Sequence, residues 1–413
     1  MRRLYQLDLG ILSAAVVITL LGITMVYSAA YHSESGVLQS AWERQLFSAV
    51  VAVAVSVGMI YVPNRFIYGL AYPLYLGCLT SLVLVLVWGT GEDATRWLDL
   101  GLTTVQPSEF AKVIVILALA RYLSDRRGDQ LNRFPDLAGA LIIPVIPMAL
   151  VVRQPDLGTA MVLGGVLLPM LYWAGMSPVA IFLLVSPLLS TIFSFEPLWR
   201  GAAPFVFATF IILSTAAVHY LLSRLWVTIG MVSANLAAGL ASVYLWEHML
   251  RPYQQDRILT FLDPEKDRLG TGWNIIQSKI AIGSGGLTGK GFLQGTQTKF
   301  EFLPAAHTDF IFAVIGEELG FIGTMVVLAL FLYLVTRGVQ VAAAAENRFY
   351  SLVALGLAAM FIFHVFVNAG MTMGVMPVTG LPLPFLTYGG SSLITNFAAV
   401  GLLLHVHLHR HEL

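Results

Sequence analysis

Long apolar runs alternate with short polar linkers along most of the chain. A membrane-spanning helix needs about 20 mainly apolar residues. The candidate spans are residues 9–28, 42–61, 66–89, 107–123, 135–152, 157–175, 177–195, 203–223, 226–246, 308–336, 349–372 and 384–408. The pattern therefore predicts an all-α polytopic membrane protein with about 12 transmembrane helices, in a single membrane domain (residues 1–413).

Residues 247–307 interrupt this pattern, because they are polar, charged and rich in glycine. Within them, residues 274–282 place apolar side chains at helical spacing, which predicts a helix along the membrane surface. The interruption ends at His307, Thr308 and Asp309, where the next apolar run begins. We expect residues 247–307 to form one long loop on one side of the membrane.

The composition supports a membrane protein, since 57% of the residues are hydrophobic and 11% are charged. A water-soluble domain carries about 25% charged residues. The formal net charge of zero argues against nucleic acid as a partner. Cys78 is the single cysteine, which excludes an intramolecular disulfide.

The distribution of Lys and Arg in the short linkers predicts the orientation. Arginines are more frequent in the linkers that lie on the same side as the N-terminus, and Arg410 lies in the C-terminal tail. Positively charged short loops face the cytoplasm, so both termini are predicted to be cytoplasmic and residues 247–307 extracytoplasmic.

Asp309 has two interpretations. It could lie in the first turn of a helix capped by Thr308, where the helix dipole favours a carboxylate. Alternatively, the preceding Pro304, His307 and glycine-rich loop could hold the carboxylate in an aqueous cavity, where it could act as a general base. Both interpretations place Asp309 at the mouth of the predicted span 308–336.

A second group of polar residues surrounds the start of the predicted span 107–123. Trp97 follows Arg96 and could be an interfacial anchor. Lys112 lies three residues after Glu109 on the same helix face, so the two can form an ion pair. An ion pair inside a membrane indicates function, although it could equally lock two helices together.

Several cations could attract an anionic group at the outer face. Arg153 lies in a tight turn between two predicted spans, and Lys279 and Lys290 lie in the long loop. Glu317 and Glu318 lie about two turns into the predicted span 308–336. We expect at least one of them to face inward and pair with a basic residue.

Two glycine-containing stretches stand out, one around Lys290 and one at residues 380–392. The glycines around Lys290 lack the spacing of a nucleotide-binding P-loop, so flexibility or a backbone nest for an anion is the better interpretation. Residues 380–392 interrupt the last apolar region, and broken helices of this kind occur where they pack in protein or line a cavity. Ser391 lies in this interruption. The candidate substrate-binding residues are Arg96, Trp97, Glu109, Lys112, Arg153, Lys279, Lys290, His307 and Ser391.

Six stretches together resemble the SEDS family of bacterial cell-wall proteins, the RodA and FtsW group. They are RWLDLG (96–101), QPSEFAK (106–112), QPDLGTA (154–160), a stretch ending in IIQSKIAIGSGGLTGKG (263–291), FLPAAHTDFIFAVIGEELG (302–320) and GLPLPFLTYGGSS (380–392). The resemblance covers most of the chain, and GTQTKFEFLP (295–304) is more similar to the RodA branch, which acts in cell elongation.

The resemblance implies a glycosyltransferase of the bacterial cytoplasmic membrane that polymerises lipid II into glycan strands outside that membrane. It implies that Asp309 is the essential carboxylate and that Trp97, Glu109 and Lys112 are functionally sensitive. A class B penicillin-binding protein that crosslinks the product is the implied partner. The family has ten spans, so the two surplus predicted helices indicate an extra hairpin at residues 196–246.

The implied reaction inverts an α-linked donor into a β-1,4 bond, and its leaving group is undecaprenyl pyrophosphate. One base and a source of positive charge are then required. Asp309 is the predicted base. Either a divalent cation (Mg or Mn) or the cations Arg153, Lys279 and Lys290 would supply the charge, and no organic cofactor is expected. The alternatives are a lipid II flippase and a non-catalytic scaffold of the cell-wall complex.

Overall fold

The computed structural model describes residues 8–31, 39–90, 96–99, 101, 104–126, 130–199, 201–249, 252–267, 270 and 272–411. The helices before the long loop are α1 (Leu9–Ala30), α2 (Ala41–Ile60), α3 (Asn64–Trp88), α4 (Pro107–Ser124), α5 (Phe134–Arg153), α6 (Leu157–Trp173), α7 (Pro178–Phe193), α8 (Glu196–Trp199), α9 (Ala203–Leu222) and α10 (Leu225–Tyr244). They are followed by α11 (Pro252–Leu262), α12 (Trp273–Ser284), α13 (Thr296–Lys299), α14 (Ile311–Glu318), α15 (Gly320–Ala344), α16 (Arg348–Thr372) and α17 (Gly390–Leu408).

The remaining elements are short. A two-residue antiparallel hairpin of β1 (Leu98–Asp99) and β2 (Thr104–Val105) precedes α4. Turns of 3-10 helix lie at Gln130–Asn132 and Pro264–Asp267, and a π-helical turn at Leu245–Met249 follows α10. The described residues are thus all-α apart from one small hairpin, as the hydropathy pattern predicts.

Nine helices in the described part are long and apolar enough to cross a membrane. Helices also form at the other three predicted spans, but α6 and α7 are shorter, and α4 carries Glu109, Lys112 and Arg121. The predicted number of about 12 membrane crossings therefore stays a prediction, whereas a helix is present at every predicted position.

The chain divides into two compact units. The first unit contains residues 1–174 and 274–413. Helices α16 and α17 form its centre, because 78% of the most apolar stretch of each helix is buried. Helix α17 packs on α2, while α16 packs on α15, α6 and α4. The residues around Asp309 belong to this unit.

The second unit contains residues 175–273. The predicted extra hairpin folds as α9 and α10, joined at Ser223 and Arg224, and both helices pack on α7. The buried Ser186 hydroxyl of α7 donates to the Asn235 side chain of α10 over 3.0 Å. Large apolar side chains such as Tyr220 and Trp226 are exposed on this hairpin, as expected of helices whose solvent is lipid.

The predicted span 308–336 is wrong in its start and its continuity. Helix α14 begins at Ile311 with Phe310 as its N-cap residue, and a break at Leu319 separates it from α15. Thr308 and Asp309 therefore lie in a turn before the helix. The interpretation of Thr308 as the helix cap is accordingly also wrong.

The backbone of the glycine-rich loop packs against this break and forms hydrogen bonds with both helices. The Lys290 and Gly291 N–H groups donate to the Glu317 and Glu318 carbonyls, while the Phe321 N–H donates to the Gly286 carbonyl. A side chain at Gly289 would place its Cβ 2.1 Å from the Glu318 carbonyl oxygen, so only glycine permits this approach. The interpretation as an anion nest is wrong at these two N–H groups, since helix carbonyls already occupy them.

Candidate active site

Asp309 lies in a turn that is anchored by apolar side chains on both sides. Leu303, Ala306 and Phe310 are buried in one cluster with Ala281 of α12 and Val314 of α14, among others. The carboxylate itself is partly exposed. A polar group is thus presented at a fixed place beside an apolar core.

The charges around Asp309 tune its proton affinity. Burial raises the pKa of the Asp309 carboxyl, the Arg96 guanidinium lowers it, and the nearby Asp156 raises it, with a net result of about 6. An effective general base has a pKa near the working pH, because it must be deprotonated and still able to take a proton. Asp309 meets this requirement, whereas an ordinary aspartate with a pKa near 3.8 is a weaker base.

Arg96 is held in place by the turn that precedes α6. Its Nε donates to the Gln154 carbonyl over 3.3 Å, and its Nη2 donates to the Pro155 carbonyl. The following residue, Trp97, pairs its backbone with Thr90 across the start of the β-hairpin and is partly buried. The charge of Arg96 lowers the pKa of Asp309, so the structure brings Arg96, a predicted substrate-binding residue, near this carboxylate.

Asp156 is a further member of this site, and in the sequence it stands out only as part of the stretch QPDLGTA (154–160). It caps α6 by accepting the Thr159 N–H over 3.2 Å, and it also accepts from the Ser108 hydroxyl over 3.0 Å. The Gln106 side chain donates to Asp156 over 3.2 Å, and the Gln106 N–H donates to the Ser391 hydroxyl over 3.2 Å. The starts of α4, α6 and α17 thus meet through Gln106, and Ser391 is linked to the site by this route.

Glu109 and Lys112 do form the predicted pair, with 2.8 Å between the ammonium and the carboxylate. Both are almost fully buried. Lys112 also contacts Nε2 of His364 over 3.2 Å, and the other ring nitrogen of His364 lies 3.0 Å from the Pro382 carbonyl. Since these groups are enclosed by protein, the geometry favours the structural interpretation, a connection between α4, α16 and the 380–388 loop, over the predicted substrate-binding role.

Lys290 is engaged inside the protein. Its ammonium lies 2.7 Å from the Glu317 carboxylate, which is fully buried and also accepts the Thr296 N–H and hydroxyl over 2.8 Å each. The expected inward pairing of Glu317 with a basic residue is therefore present. Because this ion pair uses the Lys290 charge, the geometry argues against the predicted role of Lys290 at a pyrophosphate.

The other two predicted cations remain exposed. Arg153 is the last residue of α5, and Lys279 lies on the exposed face of α12 beside Gly374. The predicted substrate-binding His307 lies two residues before the catalytic candidate, with its ring 6.0 Å from that of Tyr388. Burial lowers the pKa of His307, so its imidazole is neutral at neutral pH.

Residues 380–388 are packed in protein, as expected of an interruption in an apolar region. Leu381, Leu383, Phe385 and Leu386 are almost fully buried. A Cβ added to Gly380 would lie 3.4 Å from Asp309 Oδ2, so this loop forms one wall of the site. The described residues contain no group of three or more His, Cys, Asp and Glu side chains that could hold a metal ion.

A sequence model of the FtsW, RodA and SpoVE family, described as cell cycle protein, matches residues 9–201 and 201–412. The chain belongs to this family. It is 38% identical to the peptidoglycan glycosyltransferase RodA of Treponema pallidum (strain Nichols), over 98% of each chain. It is also 38% identical to the peptidoglycan glycosyltransferase MrdB of Escherichia coli K12, over 94% of this chain and 91% of MrdB.

Solved structures agree with this assignment. The chain superposes with a TM-score of 0.71 on a protein of a peptidoglycan synthase complex that coordinates polymerization and crosslinking, at 32% identity and covering 98% of this chain and 99% of that one. The TM-score with RodA of Thermus thermophilus is 0.63, at 28% identity over 98% of each chain. The resemblance to the SEDS family is confirmed. The chain is a multi-pass membrane protein and a glycosyltransferase.

Proposed function

We propose that this family member polymerises lipid II into glycan strands on the outer side of the bacterial cytoplasmic membrane during cell elongation, with Asp309 as the general base. The observation that carries the proposal is the Asp309 carboxylate, partly exposed beside Arg96 and with its pKa raised to about 6. The relatives named peptidoglycan glycosyltransferase support the substrate class.

The proposed step is one direct displacement. Asp309 takes the proton of the acceptor 4-hydroxyl while that oxygen attacks the anomeric carbon of the lipid-linked donor. The bond between that carbon and the pyrophosphate oxygen breaks, and undecaprenyl pyrophosphate leaves with the electron pair. Attack from the face opposite the leaving group inverts the anomeric centre and gives the β-1,4 bond.

The leaving pyrophosphate needs positive charge. Arg153 and Lys279 remain candidates because their side chains are exposed. A divalent cation is the other source of charge that we propose. It would be held mainly by the pyrophosphate oxygens and water, since Mg²⁺ commonly binds through substrate phosphates and keeps several waters.

An apolar pocket offers a place for a lipid chain. Its volume is about 370 Å³, and it lies between α3, the β-hairpin and α4. The lining includes Leu74, Cys78, Leu98, Val105, Phe110 and Ile114. Leu98 follows Arg96 and Trp97 directly, so one wall of the pocket belongs to the segment that carries Arg96.

We further propose that both termini are cytoplasmic and that the Asp309 site faces outward. A class B penicillin-binding protein is the proposed partner. The superposition on a protein of a peptidoglycan synthase complex supports a crosslinking partner.

The test is a polymerisation assay with the purified protein, its partner and labelled lipid II. Base catalysis contributes about 10²–10⁴-fold, so Asp309→Asn should reduce polymerisation by at least that factor while leaving the protein folded. A parent rate for Asp309→Asn would overturn the assignment of the base. Movement of lipid II in liposomes without glycan polymer would instead indicate a flippase, and binding without either activity a scaffold. The parent rate with and without chelator tests the divalent cation.

A further inference from the structure

Three successive backbone carbonyls of the Asp309 turn are each held by a different donor from the C-terminal part of the chain. The His307 carbonyl accepts the Tyr388 N–H over 3.1 Å, and the Thr308 carbonyl accepts the Thr387 hydroxyl over 3.2 Å. The Asp309 carbonyl accepts Nδ2 of Asn368 over 3.1 Å. The turn precedes α14, so these bonds replace the helical hydrogen bonds that would otherwise fix its backbone.

Asn368 connects two segments with one amide group. Its Nδ2 also donates to the Leu381 carbonyl over 2.8 Å, so the amide bridges the turn and the wall of the site formed by residues 380–388. The side chain is fully buried in α16, and among the described residues its Oδ1 has no hydrogen-bond partner. An unpaired buried amide oxygen is unfavourable, so stability alone does not explain an asparagine here.

Thr387 reinforces the same connection. Its hydroxyl oxygen also accepts the Leu383 N–H over 2.8 Å, and its backbone carbonyl accepts Nε2 of Gln45 from α2 over 3.1 Å. The loop is therefore tied to α2 on one side and to the turn on the other. The position of the turn depends on α16 and on this loop rather than on α14 alone.

We propose that Asn368, assisted by Thr387, is a positioning residue that holds the Asp309 turn against residues 380–388, so that the carboxylate stays at its partly buried place beside Arg96. Neither side chain has to touch the substrate. The inference rests on the proposed function, because it assigns these residues to the alignment of that base.

Loss of the Asn368 donor should affect catalysis in two ways. A shift of about 1 Å in a catalytic group can lower the rate by about 10²-fold, so kcat should fall by roughly 10-fold to 100-fold while KM for lipid II changes little. A loosened turn also admits water to the carboxylate, which removes part of the burial that raises the pKa of Asp309. In a plot of kcat against pH, the acid limb is the part in which kcat falls at low pH because the base becomes protonated. This acid limb should then move below pH 6.

The charges that act on Asp309 are not altered by this change. Arg96 and Asp156 face it from the segment before β1 and from the start of α6, and His307 lies on its own turn. Since all three remain in an Asn368 variant, a shift of the acid limb of the kcat profile would reflect a change in the exposure of the Asp309 carboxylate to water.

The experiment compares Asn368→Leu, which keeps the number and branching of the side-chain heavy atoms and removes the donors, with the matched control Asn235→Leu. Asn235 is a fully buried asparagine of α10 that lies in the second unit. Polymerisation kinetics are measured from pH 5 to 8 with the partner protein present. The control should keep the parent kcat and pH profile, whereas Asn368→Leu should show the lower kcat and the shifted limb.

Thr387→Val and Thr387→Ser keep the test decisive if Asn368→Leu does not fold. The valine variant removes the hydroxyl that donates to Thr308 and should shift the limb in the same direction, while the serine variant should restore the parent profile. If Asp309→Asn is inactive but the Asn368 and Thr387 variants keep the parent kcat and pH profile, the positioning role is wrong and the proposed function stands. If Asp309→Asn polymerises lipid II at the parent rate, the assignment of Asp309 as the base fails, and the positioning role fails with it.

Discussion

The Asp309 carboxylate should destabilise the folded protein at the pH at which it works. Burial raises its pKa from 3.8 to about 6, which means that the fold favours the neutral form. When folding raises the pKa of a group, its contribution to the stability of the protein is complete below the pKa that the group has in the unfolded chain. This contribution is lost as the pH rises through the pKa that the group has in the folded protein. Asp309→Asn, which cannot ionise, should therefore increase stability above pH 6.

The magnitude follows from the shift. A difference of about two pKa units corresponds to about 3 kcal/mol at about 1.4 kcal/mol per unit. Because Asp309 is partly exposed, solvent screening reduces this to roughly 2–3 kcal/mol. At pH 5, which lies between the two pKa values, about half of the difference should remain.

The measurement is the thermal unfolding midpoint in detergent at pH 8 and pH 5. For a chain of this length we expect Asp309→Asn to raise Tm by roughly 2–5 °C at pH 8 and by about half as much at pH 5. Asp256→Asn, a change at an exposed carboxylate of α11, is the control and should leave Tm unchanged. A lower Tm for Asp309→Asn at both pH values would refute the reasoning, because the carboxylate would then stabilise the fold.

Three further predictions concern the residues around this site. Arg96→Gln removes the positive charge that lowers the pKa of the base, so the acid limb of the kcat profile should move above pH 6, and an unchanged limb would contradict the placement of that charge. Lys290→Met leaves the buried Glu317 carboxylate without its cation and should destabilise the protein by about 3–5 kcal/mol, measured as a lower Tm; an unchanged Tm would show that the pair is dispensable. Gly22→Ala places a Cβ 2.6 Å from the backbone of Leu386 and should lower both Tm and activity, whereas Gly69→Ala, which meets nothing within 4 Å, should change neither.

The sequence alone located the helices well. Apolar runs of about 20 residues predict helices at every position where the structure has a long one, because a chain in lipid must satisfy its backbone hydrogen bonds within each segment. The same reasoning failed at residues 308–336. There the loop around Gly289 donates its N–H groups to helix carbonyls and so permits a break within an uninterrupted apolar run.

Asp309 and Arg96 were each accessible from sequence, through unusual polar motifs at the ends of apolar runs. Their proximity and the other partners of Asp309 were not. Asp156 reads as an ordinary helix cap, and Asn368 as a polar residue within an apolar helix. Their proximity to the carboxylate requires contacts between segments that are far apart in the chain.

Local hydropathy and local motifs specify the class of protein, the helices and the residue that carries the proposed chemistry, so these follow from the sequence. Which charges are free and which are used internally depends on how distant segments pack in the fold. Lys290 and Lys112 are candidates for substrate binding in the sequence, yet each is paired with a buried carboxylate. The physical reason is that a charge is available to a ligand only if no neighbouring group in the fold has already neutralised it.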